Sequence, residues 1–319
     1  MAVQTTTNTA ATATYLNKTY YDRTLLETAK AQIVYGQFGQ KRSIPRNNGK
    51  VVEFRRWTLF TPNKTTQALT EGVTPTSQAL GQTKVEATVA QYGAYVEISD
   101  LLDLTAYDQV IDDSAELLGE QLGIVVDNVT RDAMIADAST QYAGGANSAN
   151  AVAATSYLTV DEVRKAVRTL KANKARRFSG NGRAGHFVCI VDPYATYDLQ
   201  SDSLWQDVSK YSNAEQIYAG EIGRLFGVVF VETTEGYVAN NSASTPVALH
   251  HSLIFGADSY GVIDVAGSGT LQTIIKPRGS AGTADPLDQR STVGAKVMGY
   301  TAKVLNPLWI IDIQHAVHA

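Results

Sequence analysis

The sequence predicts an α+β fold, and three observations carry that prediction. The stretch from Ser99 to Tyr142 has no proline and repeats apolar or small residues at Leu104, Tyr107, Ile111, Ala115, Leu118, Leu122, Val125, Val129 and Ala133. Steps of three and four are helix spacing. Strand-like runs flank it on both sides. Between the helix and the C-terminal runs, residues 152–269 alternate helical segments with short apolar strands, the pattern of a small α/β or α+β unit.

Composition sets the outer limits. A chain of 319 residues, 44% hydrophobic and only 18% charged, can bury a large core in two domains or one elaborated one. A net charge of −4 argues against a nucleic-acid surface covering the molecule. The single Cys189 excludes intrachain disulfides and multi-cysteine metal sites. Neither a secretory h-region after Met1 nor an apolar run of membrane-spanning length is seen, so a soluble protein of a reducing compartment is expected.

Taken in order, residues 1–14 are a polar Thr/Ala/Asn run with too little apolar surface to fold alone. Lys18–Phe38 sets Tyr21, Leu25, Ala29 and Ile33 at helical steps, stopped by Gly36, Gly39 and the turn residues of 45–49. Lys50–Phe60 (KVVEFRRWTLF) and Thr83–Ser99 are rich in β-branched and aromatic residues and read as the two arms of a long hairpin. Some twenty polar residues with two prolines join them, a length usually functional or mobile. The hairpin has no sequence-adjacent cover, so Phe54, Trp57, Leu59 and Phe60 call for another surface, and a neighbouring subunit is the natural one.

The long helix follows, capped by Ser99 or Asp100 and stopped by 139–145. About forty helical residues would span roughly 60 Å. Thr159 with Glu162 predicts a capping-box start for the next helix. HFVCIV (186–191) predicts a buried strand, Asp192–Pro193 an N-cap and N1, residues 214–226 a helix, and 228–233 and 249–255 two more strands. The final runs, 270–276, 293–304 and 308–313, predict an antiparallel sheet packed on the long helix, with the middle unit self-contained.

The search for chemistry is mostly negative. His186, His250, His251, His315 and His318 lack metal-ligand spacing with Cys or acidic partners, and Cys189 reads as a small buried hydrophobe. No phosphate-cradling glycine motif is present. Asp112, Asp113, Glu116, Asp127 and Asp132 on the long helix read as its solvated face rather than as a catalytic pair. The basic run Arg164, Lys165, Arg168, Lys171, Lys174, Arg176, Arg177 and Arg183 largely suits a helix C-terminus, with contact to a polyanion or acidic neighbour as the alternative. Catalytic, cofactor and metal residues are therefore not assigned. The candidate interface residues are Arg55, Arg56, Trp57 and Phe60 on the hairpin, where guanidinium groups can meet acids of an adjacent subunit.

YGAYVEISDLLDLT, leading into the long helix, and DQRSTVGAKVMGYTAKVLNPLWIIDIQ, near the C-terminus, resemble the Hong Kong 97-type major capsid proteins of tailed bacteriophages, in particular the family typified by coliphage N-four. HFVCIVDPYATYDL fits less specifically. The resemblance implies an N-terminal arm (1–48), an extended β-hairpin loop (49–92), and a peripheral domain built from a spine helix (93–151) and C-terminal strands (270–319). The inserted axial α/β domain is residues 152–269. It also implies a structural protein with no active site and no cofactor. Such a protein assembles with itself as hexamers and pentamers into an icosahedral head around double-stranded DNA. Scaffolding, a portal and decoration would be separate proteins, contact with packaged DNA weak, and the location the virion after assembly in the host bacterial cytoplasm. Two alternatives remain: an encapsulin-like nanocompartment shell, which a neighbouring cargo-enzyme gene would favour over terminase and portal genes, and a soluble enzyme or glycan-binding module on residues 152–269, which requires converging polar groups in a pocket.

Overall fold

The computed structural model describes residues 34–45, 47–58, 60–65, 67–105, 110–180, 183–209, 221–265, 272–280 and 285–318. The expected helix over Lys18–Phe38 lies outside them except for its end, where Tyr35–Gln37 form a single 3-10 turn. Then come β1 (Gln40–Ile44), β2 (Val51–Trp57), β3 (Gln82–Thr88), β4 (Ala90–Ser99), α1 (Asp100–Thr105), α2 (Val110–Asp137) and β5 (Ser139–Tyr142). The middle of the chain gives α3 (Val160–Ala172), β6 (Phe178–Gly180), β7 (Arg183–Val191), α4 (Pro193–Ser201), α5 (Ser203–Ser209), β8 (Glu221–Leu225), β9 (Val228–Glu232), β10 (Val238–Asn240) and β11 (Ala248–Phe255). It closes with β12 (Tyr260–Val265), β13 (Gln272–Lys276), β14 (Arg290–Val304) and β15 (Ile310–His315).

The expected spine over 99–142 is described as α1 and α2, with residues 106–109 between them outside the described residues. α2 has 28 residues, about 42 Å, and the spine stops at Asp137, short of Tyr142, because residues 139–142 pair in parallel with β15. The expected apolar face holds within α2, with Leu118 and Leu122 buried, Ile111, Ala115 and Val129 packed beside them and Met134 joining the core, whereas Leu104 on α1 is exposed and Tyr107 lies outside the described residues. Asp127 departs from the expected wet face. It is 1% exposed, and its carboxylate accepts the amides of Val34 and Gly36, both at 3.0 Å. Those donors open the 3-10 turn, and burial of the carboxylate is tolerated because they satisfy it.

Two sheets and a ribbon make up the strands. A five-stranded sheet runs β1-β12-β14-β13, with β4 also on β14. An eight-stranded sheet runs β5-β15-β11-β7-β9-β8, with β10 on β11 and β6 on β7. β2 and β3 pair antiparallel from Val51↔Thr88 to Trp57↔Gln82, the expected hairpin. The second arm divides at Val89, however, and β4 leaves the ribbon to pair with β14 instead.

The middle unit is not self-contained, because strands cross between the layers. Of the expected C-terminal sheet, β13 and β14 pair antiparallel and β14 packs on α2, but β15 sits between β5 and β11 in the eight-stranded sheet rather than beside β14. β12, in turn, leaves the middle segment to pair with β1 and β14. Alternation explains how one sheet serves two cores. Phe187, Cys189 and Val191 face α3 and α4, while Val188 and Ile190 face the core shared with α2 and β14. Phe38, Phe178 and Phe255 meet edge-to-face at that junction, with centroids 5.8–6.0 Å apart.

Local signals fix the remaining helices. The Thr159 side chain accepts the Glu162 amide at the start of α3, and Asp192 caps α4 ahead of Pro193 through the Ala195 amide at 2.9 Å. The expected helix over 214–226 is overturned where described: 221–225 form β8, which turns into β9 through Phe226 and Gly227 at φ +49° and +80°. Two consecutive positive φ values belong to a tight hairpin turn, and Gly227 is what allows the second.

Candidate assembly interface

The ribbon is held at its root and bare beyond it. Phe54 is half-buried and lies over Gly261 of β12, where any added side chain would meet its ring, and Ile44, Ala87 and Ile263 form a small core there with Val52 and Val89. The hairpin therefore finds part of its cover on its own chain, and Phe54 does not need another subunit. Further out, Trp57 is 61% exposed and Phe60 50%, while Leu59 lies outside the described residues. Leu69, Val73 and Leu80 in the connecting segment are also exposed.

Alternation divides the three candidate residues that lie on β2; Phe60 lies beyond its end. Arg55 and Trp57 share one face of β2 with Glu53, and Arg56 lies on the other with Val52 and Phe54. Glu53 stands directly opposite Glu86, a like-charge pair that would oppose the ribbon. Lys84 bridges both carboxylates, at 3.4 Å to Glu53 and 2.6 Å to Glu86, and Arg55 bonds Glu53 as well. The Arg55 hydrogen bond, with these cations, holds the Glu53 carboxyl below its ordinary range. Arg55 thus has an acid on its own strand and remains exposed beside it.

A second bare region lies on the five-stranded sheet. The face of β4, β14 and β13 turned away from α2 carries a trough of about 580 Å³. Gly93 and Gly294 leave its floor without side chains, and Tyr95, Ile274, Lys276 and Lys296 form its walls. Tyr95 is 68% exposed. Beside it, α1 presents Leu101, Leu102 and Leu104 to solvent, tied to the sheet by the Arg278–Asp103 ion pair. Exposed leucines beside an open trough make this face a second candidate contact surface.

Three of the strand and terminal histidines pair with carboxylates from distant segments. His250 bonds Asp192, His251 bonds Asp312 at 2.8 Å, and His318 bonds Asp198 at 2.6 Å. These partners lie 58, 61 and 120 residues away in sequence, which is why spacing did not find them. His315 is fully buried and neutral: its Nδ1–H donates to the Ala316 carbonyl at 2.9 Å, leaving Nε2 to accept from the Ser252 hydroxyl at 2.9 Å. Burial lowers its pKa to about 4. Burial alone would raise the Asp192 carboxyl, but the His250 ring and the Ala195 amide outweigh it and hold it low. These pairs fasten β11, β15 and α4 together. No cluster able to hold a metal ion occurs among the described residues. Cys189 is buried in β7, and burial pushes its thiol up, away from thiolate chemistry.

From Arg164 to Arg177 the basic run is a solvated face with local partners: Arg164 pairs with Asp161 at 3.0 Å, Lys165 with Glu162 at 2.8 Å and Arg176 with Asp258 at 3.0 Å. No helix among the described residues is long and apolar enough to cross a membrane.

A family model described as "Phage capsid protein" matches residues 128–266. The structure is similar to the capsid of Ralstonia phage GP4, with a TM-score of 0.74 at 12% identity over 95% of this chain and 96% of that one. It is also similar to the capsid of cyanophage P-SCSP1u, with a TM-score of 0.69 at 16% identity over 98% and 97%, and to that of cyanophage Pam1, with 0.69 at 14% over 97% and 98%. No curated protein sequence matches the chain. The shared architecture spans essentially the whole of each chain, and the fold is the α+β, Hong Kong 97-like capsid fold.

Proposed function

We propose that this chain is a structural major capsid protein of a tailed bacteriophage, many copies of which form the shell of the virion. The observation that carries the reading is the end-to-end likeness to phage capsid structures, 95–98% of this chain against 96–98% of theirs. The exposed ribbon, α1 leucines and sheet trough support it, since a lone molecule leaves them in water. Residues 1–48 serve as the arm, 49–92 as the extended loop, 93–151 and 270–319 as the peripheral domain and 152–269 as the axial domain. The copies close as hexamers and pentamers around double-stranded DNA, with Arg55, Arg56, Trp57 and Phe60 at subunit contacts. Assembly takes place in the bacterial cytoplasm, with scaffolding, portal and decoration supplied by other proteins. A net charge of −4 suits a container that touches packaged DNA only weakly, because each phosphate contact adds salt-sensitive affinity. The role is structural, without catalysis.

Negative-stain microscopy of the expressed chain tests this. Closed shells or capsomer rings are expected. A compact monomer under every assembly condition, unchanged by deletion of residues 58–81, overturns it.

A further inference from the structure

β13 ends one side of the five-stranded sheet, and among the described residues β14 is its only strand partner. Its other edge turns backbone N–H and C=O groups outward. Natural sheets blunt such edges with charges, proline, bulges or a covering element. The strand's charge and the proline after it come only at its end, Lys276 and Pro277; among the described residues Thr273, Ile274 and Ile275 have none of these, and their register with β14 runs without a break. Ile274 is 43% exposed and Ile275 51%, on opposite faces of the strand.

We propose that β13 is a docking edge for a second copy of this chain, the two β13 strands pairing antiparallel about a two-fold axis. The proposal rests on the shell reading, which supplies the copies. The sequence of the strand is what selects a second copy as the occupant. Centred on Ile274, self-pairing places Ile274 against Ile274, Thr273 against Ile275 and Gln272 against Lys276. β-Branched pairs then form on both faces, the favourable cross-strand combination. The two lysines fall at opposite ends, separated by about 14 Å along the strands at 3.4 Å per residue. One patch meeting itself is also what a two-fold contact requires. Ile274 is a wall of the trough, so the pairing joins the troughs of both copies across the axis.

The test uses the full chain with Ile274→Cys. Cys189 is fully buried, so the introduced thiol is the accessible one. Oxidation of assembled particles should give a covalent dimer on non-reducing gels, while Leu204→Cys, at a similarly exposed position on α5, stays monomeric. Ile274→Lys and Ile274→Asp should each lose particles when expressed alone and recover them when mixed, because the paired charges then become opposite. Shells of the Ile274→Cys chain that form without the covalent dimer overturn the proposal and leave the shell reading standing, as does cross-linking of Ile274→Cys to Tyr95→Cys in its place. Charge variants that assemble like the parent also overturn it. A parent chain that never forms shells removes the shell reading, and this inference with it.

Discussion

Replacing Asp127 with alanine asks how firmly the spine helix holds the approach to β1. Its carboxylate is 1% exposed and accepts the Val34 and Gly36 amides at 3.0 Å each. Val34 and Tyr35 are themselves 1% exposed, so water cannot readily take over either bond. A buried amide left without its acceptor costs about 1–3 kcal/mol, or about 2–6 kcal/mol for the two. An opposing effect reduces this. Burial raises the Asp127 carboxyl against the pull of the Val34, Gly36 and Tyr35 amides and of Arg131, so removing the charge relieves a desolvation penalty. The net expectation is a loss of about 2–4 kcal/mol for Asp127→Ala. Asp127→Asn keeps one acceptor oxygen but turns an NH2 toward the other amide, and should lose roughly half as much or more. Urea denaturation of the unassembled chain, followed by tryptophan fluorescence, measures both. A shift below about 0.5 kcal/mol for the alanine variant, the range of an ordinary surface change, would refute the anchoring argument.

Four further outcomes are expected. His315 binds its proton less tightly folded than unfolded, so its contribution is full above its ordinary pKa near 6.5 and is lost as pH falls toward about 4. The loss is about 3 kcal/mol, and comparing urea midpoints of the parent and His315→Gln at pH 7 and pH 4.5 should show a smaller pH effect in the variant. Gly256→Ala drives a Cβ into the Arg176 carbonyl oxygen, a backbone atom that cannot swing aside, and should cost about 2–3 kcal/mol by the same denaturation. Thr159→Ala removes the cap on α3 and should cost about 1 kcal/mol, read as a lowered thermal midpoint. Trp57→Ala should leave monomer stability within about 0.5 kcal/mol yet reduce shell yield in sedimentation, since the ring is 61% exposed on the ribbon.

Local chemistry was the legible part of this fold. The α2 ladder, the Thr159 and Asp192 caps and the β2–β3 pairing each depend on residues a few positions apart or on simple alternation, and each is found where the sequence places it. Partner choice between distant strands was not legible. Nothing in IIDIQH distinguishes pairing with β14 from pairing with β5 and β11, because an apolar strand buried on both faces suits either. Residues 221–225 have no alternation strong enough to outweigh helix propensity, and the positive φ at Phe226 is a tertiary outcome. At the candidate interface, Trp57 and Phe60 were readable as bare aromatics, while the Arg55–Glu53 bond along the same strand face went unread. The trough was invisible, since glycines 93 and 294 become neighbours only once β4 pairs with β14.

The exchange of strands between the sheets bears on how such a tile would bear load. β15 is clamped on both sides within the eight-stranded sheet, and β12 is likewise flanked by β1 and β14 in the other. Pulling the layers apart therefore loads the chain connections into these interior strands, each of which is held by a ladder on both sides rather than at a free edge. With one of the two cores shared by both sheets, the layers are expected to melt together. Internal pressure on such a subunit meets one stiff body, and yielding is left to the seams between copies.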